Sequence, residues 1–209
     1  MSLPSAWGLA YSEVQGLARL AYKGHSTEAL YHFPNSDSDW RVLHIFEVKS
    51  FRAVLVQGSK RVLSLSGTDD AGDWVDNISQ TVAGVSWQYH HALKLAKATA
   101  PDVVVGHSLG GGMASYIAIY GGRCAATINP AALNVNLFSL LSMFKNGDLV
   151  INYIAPGEIL SLLPVFCPVL SMMTHTVGRT ICVGSNGGFD PIARHGLAEL
   201  EGFEEPQRK

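Results

Sequence analysis

Three consecutive valines at 103–105 run directly into Gly106-His107-Ser108-Leu109-Gly110, and then into small and apolar residues as far as Tyr120. A short β-branched run of this kind suits a strand buried on both faces. The pattern after it suits a helix stopped at Gly121-Gly122. A buried strand that turns into a helix within a few residues limits the fold to a sheet covered by helices. It also limits the turn. A serine there sits on a tight bend with its oxygen above the sheet edge, so side chains at 106 and 110 would strike the strand and helix. Gly106 and Gly110 answer that need.

The other segments fit the same plan. "SEVQGLARLAYKG" (12–24) reads as a helix, 42–48 and 51–57 as a hairpin, and 61–67 as a further strand. "DWVDNISQ" (73–80) starts a short helix, and "SWQYHHALKLAKATA" (86–100) has helical spacing up to Pro101. Residues 124–129, 149–155 and 176–184 are strand candidates, and "IARHGLAELEGF" (192–203) reads as a closing helix. The expected architecture is one α/β domain over 1–209, a mostly parallel central sheet with helices on both faces. Strand, Gly-x-Ser-x-Gly and helix together form the nucleophile elbow of α/β-hydrolases.

Composition narrows the rest. Apolar residues make up 47% and charged residues 15% of the chain, with a net charge of −2. This excludes a disordered chain and offers no basic field for nucleic acid. Cys124, Cys167 and Cys182 are an odd number, which argues against a disulfide framework and suits small buried thiols. The uncharged stretches 124–144 and 159–178 are interrupted by proline and asparagine, so they read as buried or lipid-touching elements rather than membrane spans. His90-His91 makes a poor metal site, since adjacent residues on a helix face apart.

A nucleophilic serine needs a base and an acid, and in this fold they follow it in the order acid, histidine. Two histidines follow Ser108. His195 comes after the last strand candidate, whereas His175 precedes that strand and belongs to the other end of the sheet. Asp148, Glu158 and Asp190 lie between Ser108 and His195. Asp148 precedes its strand, and Asp190 sits before Pro191 as a turn cap. Glu158 follows a strand at the carboxyl end, where sites gather, and is the preferred acid with the other two left open. The oxyanion donors are expected to be the amides of Leu109 and Thr68. "GHSTE" (24–28) repeats Gly-His-Ser without a preceding strand or second glycine, which makes Ser26 a decoy.

With "LSLSGTDDAGDWVDNI", "VVVGHSLGGGMASYIAI", "NPAAL" and "GEILSLLP" in place, the chain resembles the class 3 lipase family of α/β-hydrolases over roughly residues 60 to 200. Gly67-Thr68 and Asp73-Trp74 with Asn77 match the segments that precede the family serine. Glu158 and Pro164 match the spacing of the family acid and a proline. Glutamate stands where the family usually has aspartate, and Ser66 where arginine often precedes the Gly-Thr. The resemblance implies a serine ester hydrolase acting through an acyl-enzyme, with no metal or organic cofactor. The short interval after Thr68 implies a compact version without a long lid.

The Leu, Phe and Met residues of 134–144 and 160–174 suit an acyl groove or a small cap as well as they suit ordinary core helices. The expected partner is a small-molecule or lipid ester, with transient contact at a membrane surface compatible. A phospholipase, a thioesterase or peptidase on the same triad, and a silent lipid-binding module are the alternatives. No secretory signal is visible, so the default compartment is cytoplasmic, with export by a specialised route left open. Oligomeric state is not encoded in any motif.

Overall fold

The computed structural model describes residues 3–22, 25–33, 36–67, 87–134, 145–160 and 174–209. Helix α1 (Tyr11–Leu20) starts where the Glu13 carboxylate reaches back to accept the Ala10 N–H at 2.8 Å. Val14, Leu17, Ala18 and Leu20 form its buried stripe. Strands β1 (Leu30–His32), β2 (Asp39–Val48), β3 (Phe51–Gln57) and β4 (Arg61–Leu65) follow. After them come α2 (Trp87–Thr99), β5 (Val103–His107), α3 (Leu109–Gly121), β6 (Cys124–Ile128) and the short β7 (Leu133–Asn134). The chain continues through β8 (Val150–Ile154), β9 (Thr174–His175), β10 (Arg179–Cys182), α4 (Pro191–His195) and β11 (Gln207–Arg208).

Among the described residues, nine strands form one sheet in the order β10-β8-β6-β5-β4-β3-β2-β1-β11, and β7 pairs with β9 apart from it. The expectation of a mostly parallel sheet is corrected here: the sheet is mixed. From β4 to β10 the pairings are parallel, and from β4 to β11 they are antiparallel. The cause is connection length. Only Lys49-Ser50 join β2 to β3, and 58–60 join β3 to β4. Links that short can only return a strand antiparallel.

Side chains alternate between two cores. Val54, Val56, Val62, Val103, Val105 and Ile128 pack under α1. Leu55, Leu63, Leu65, Val104 and Ala125 pack on the other face against α2 and α3. Helices therefore cover both faces, as expected. β5 is buried along its whole length, so each of its valines contributes about 1.5–3 kcal/mol relative to an exposed one. This central strand is the rigid base from which Ser108 projects.

The closing helix also departs from expectation. It ends at His195, and a 3₁₀ turn at Leu197–Glu199 follows Gly196. Tertiary pairing breaks the pattern: the Asn186 N–H donates to the Glu199 carbonyl at 2.6 Å, and Ser185 bridges to Leu200.

Candidate active site

Ser108 lies between the end of β5 and the start of α3 with φ 57° and ψ −126°. A non-glycine residue in the positive-φ region costs on the order of 1–3 kcal/mol, and it persists only where its surroundings hold it. Here the Ser108 N–H donates to the Ile128 carbonyl at 3.1 Å, while its own carbonyl accepts from Gly112 at 3.1 Å and Ala131 at 2.9 Å. A Cβ on Gly106 would collide with the Gly110 carbonyl group, and one on Gly110 with the Leu65 carbonyl. At both positions a side chain is sterically excluded. Leu109 is the first residue of α3.

Glu158 follows β8 through a turn closed by its N–H on the Ala155 carbonyl at 3.1 Å, with Gly157 at φ 79°. It is 2% exposed. Its Oε2 accepts from the Leu160 N–H at 2.9 Å and lies 2.6 Å from His195 Nδ1. His195 closes α4 and is buried. With the carboxylate accepting the Nδ1 proton, Nε2 is the basic nitrogen of that ring. The His195 ring lies 4.8 Å from the ring of His107, the residue before Ser108.

The other candidates fall elsewhere. Asp148 sits in the 147–149 turn at the start of β8, at the far end of the sheet. The exposed Asp190 caps α4 by accepting the Ile192 N–H at 2.9 Å, the capping role anticipated for it. His175 belongs to β9, paired with Leu133 away from the main sheet. Ser26 is exposed in the turn before β1. Thr68, the segment with Asp73, Trp74 and Asn77, the expected helix 73–80 and the lid interval lie outside the described residues. So do 135–144 and 161–173, which hold nearly all of the proposed acyl groove. The residue before Thr68 is described. A Cβ on Gly67 would sit 3.0 Å from the Ser108 Cβ and 2.9 Å from the His107 carbonyl oxygen, so this loop runs against the serine.

Asn129 and His107 were not anticipated as site residues. Asn129 ends β6 at φ 41°, a conformation asparagine tolerates better than most residues. Its Nδ2 donates to the His195 carbonyl at 3.1 Å, and its Oδ1 accepts from the Ala155 N–H at 2.9 Å. One buried amide thus joins the loop of Glu158 to the loop of His195. The only sequence signal was Asn-Pro directly after a strand.

His107 Nε2 lies 2.8 Å from the same His195 carbonyl, and its Nδ1 lies 2.7 Å from the Tyr22 hydroxyl. Burial, followed by the nearby positive form of His195, lowers its pKa from 6.5 to about 3, and the hydrogen bond to the His195 backbone only partly offsets this. His107 is neutral in the folded protein at neutral pH. Because a carbonyl can only accept, Nε2 carries the proton and Nδ1 accepts from Tyr22. The unfolded chain protonates this imidazole below pH 6.5 and the folded chain does not. Stability present above pH 6.5 is therefore lost as pH falls towards 3, at a limiting slope of about 1.4 kcal/mol per pH unit. Guanidinium unfolding of wild type and His107→Gln at pH 7 and pH 4.5 isolates that slope. Equal losses in the two proteins would contradict it.

Two comparisons bear on this geometry. A family model for a phospholipase-like domain, the Tle-like phospholipase domain, matches residues 8–187. That range includes Ser108 and Glu158 and stops short of His195. An extracellular phospholipase A1 of Serratia liquefaciens is 39% identical over 90 residues, covering 40% of this chain and 28% of that protein. The match therefore spans little more than a quarter of the relative's length. The lipid-hydrolase resemblance drawn from the motifs holds at this broader level, with a phospholipase-like family as the match. The cytoplasmic default is corrected, because the relative is extracellular by name and points to secretion. A transport route is not encoded in a catalytic fold, so sequence pattern was a poor guide to compartment. Among the described residues, no helix is long and apolar enough to cross a membrane.

Proposed function

The chain belongs to the family of Tle-like phospholipase domains, and from that premise we propose that it is a secreted serine hydrolase of phospholipid acyl esters with an α/β-hydrolase fold. The observation that carries this reading is the buried His195–Glu158 pair, 2.6 Å apart, with the His195 ring 4.8 Å from that of His107, the neighbour in sequence of a serine on a strained strand-to-helix turn. Ser108 Oγ attacks the ester carbonyl carbon while its proton passes to His195 Nε2. The oxyanion rests on the amides of Leu109 and Thr68, next to the positive end of α3. The carbon–oxygen bond to the alcohol then breaks, and the imidazolium gives the leaving oxygen its proton. Water, deprotonated by His195, cleaves the acyl-enzyme and releases the fatty acid. Glu158 holds the Nδ1 proton and balances the imidazolium charge.

The distribution of exposed apolar residues favours a lipid surface as the source of substrate. Val48 and Trp87 lie at one flank of the sheet's active end, and Phe189 and Ile192 lie at the other. Val48 ends β2, three strands from β5, whereas Phe189 and Ile192 flank the start of α4, the helix that carries His195. Lys49 Nζ lies 5.6 Å over the Trp87 ring, adding a cation suited to anionic headgroups.

The test is fatty-acid release from phosphatidylglycerol vesicles, set against p-nitrophenyl butyrate in solution. Wild type hydrolyses both. Trp87→Ser with Phe189→Ser lowers the vesicle rate by roughly 10-fold or more, from the apolar area withdrawn, and leaves the soluble ester rate within two-fold. Failure of wild type on a full series of acyl donors sinks the hydrolase reading. Equal loss on both substrates sinks the surface contact.

A further inference from the structure

We propose that His107 is a positioning residue, one imidazole that ties the main chain of the histidine base to the main chain at Gly67, against Ser108. This rests on the reading of Ser108 and His195 given above. Steric contact excludes side chains at positions 106 and 110, but it does not by itself call for a polar side chain at 107. By strand alternation, residue 107 shares the α1-facing side of β5 with Val103 and Val105. An apolar side chain would complete that row at no cost in lost hydration. A buried imidazole costs free energy unless both nitrogens find partners.

Both nitrogens do, and the partners come from distant parts of the chain. His107 Nε2–H donates to the His195 carbonyl at 2.8 Å, and the Tyr22 hydroxyl donates to Nδ1 at 2.7 Å. The Tyr22 oxygen in turn accepts the Gly67 N–H at 3.2 Å. The direction of this chain is set at both ends, since an amide N–H can only donate and a carbonyl can only accept. All the hydrogen bonds therefore run one way, from Gly67 through Tyr22 and His107 to His195, and each strengthens the next.

Two consequences follow for the site. The Gly67 amide is engaged by Tyr22, so it is not offered to an oxyanion. The His195 carbonyl takes two donors, His107 and Asn129, so the base is held by its backbone as well as by Glu158. A misplacement of about 1 Å at such a group costs roughly 100-fold in rate.

The experiment measures kcat and KM for p-nitrophenyl butyrate, with melting temperature and fluorophosphonate labelling of Ser108, in four variants. His107→Leu fills the row with an apolar side chain, so it melts at or above the wild-type temperature while kcat falls roughly 100-fold at a KM within about three-fold. Tyr22→Phe keeps the ring and deletes the relay, lowering kcat about 10-fold at unchanged KM. His107→Gln, whose amide nitrogen reaches the Nε2 position, retains the His195 contact and restores kcat to within about 10-fold of wild type, whereas the shorter His107→Asn does not. A His107→Leu or Tyr22→Phe variant that folds with kcat within two-fold of wild type overturns the positioning role alone. A variant that loses melting temperature and kcat together, with no recovery in Gln over Asn, reduces His107 to a packing residue and also overturns it. Wild type that neither hydrolyses the ester nor labels at Ser108 overturns the functional reading, and the positioning role falls with it.

Discussion

Ser108→Ala lowers kcat for ester hydrolysis by roughly 10⁵- to 10⁶-fold, the scale on which removing the nucleophile of such a site acts. The substitution deletes only the attacking oxygen. The backbone at φ 57° is held by Ile128, Gly112 and Ala131 through main-chain bonds that alanine keeps. Alanine pays the same positive-φ cost as serine, so the melting temperature changes little. Substrate binding is spared, since the apolar rim and the oxyanion amides stay in place. The measurement is kcat and vesicle binding for the two proteins side by side. Retention of more than a hundredth of the wild-type rate would remove Ser108 from the mechanism, whatever the strain at its turn.

Glu158→Gln is expected to cost roughly 10⁴-fold in kcat, the scale on which losing the acid of such a triad acts. Glu158 is buried, and one oxygen accepts from both the Leu160 N–H and His195 Nδ1. Glutamine with its carbonyl oxygen in that place still accepts from both, so the His195 tautomer is preserved. What disappears is the negative charge that balances the imidazolium as it forms in a corner shielded from water. With the amide turned the other way, donors would face donors, and the base would lose its orientation as well. Asp190→Asn keeps the α4 cap on the Ile192 N–H, and Asp148→Asn acts at the far end of β8. Both variants should stay within about two-fold of wild type. A rate within 10-fold of wild type for Glu158→Gln, or an equal loss in Asp190→Asn, would reassign the acid.

The turn around Ser108 was legible because its demands are local: a buried β-branched strand, two glycines within steric reach, and a small-residue helix. Chain order and strand polarity place Glu158 and His195 at the carboxyl ends of strands, and the two side chains do meet there, while their catalytic roles belong to the proposal. The mixed sheet was misjudged because hydrophobic pattern reports burial and says little about which way a neighbouring strand runs. The closing helix was overdrawn for a related reason. Its period continues past Gly196, but pairing with 185–186 stops it there.

The sequence by itself determined the kind of turn at Ser108, the burial of β5 and the candidate acid and base, since each depends on residues close in the chain or on their order. The tertiary structure alone decided that Asn129 would join the Glu158 and His195 loops, and that His107 would reach Tyr22 on one side and His195 on the other. The physical reason is the range of the information. Tyr22, Gly67, His107, Asn129 and His195 are scattered along the chain, and strand order brings them within hydrogen-bonding distance of one another. A hydrogen bond between such residues leaves no periodic or compositional trace. It exists only once the sheet has fixed which strands are neighbours.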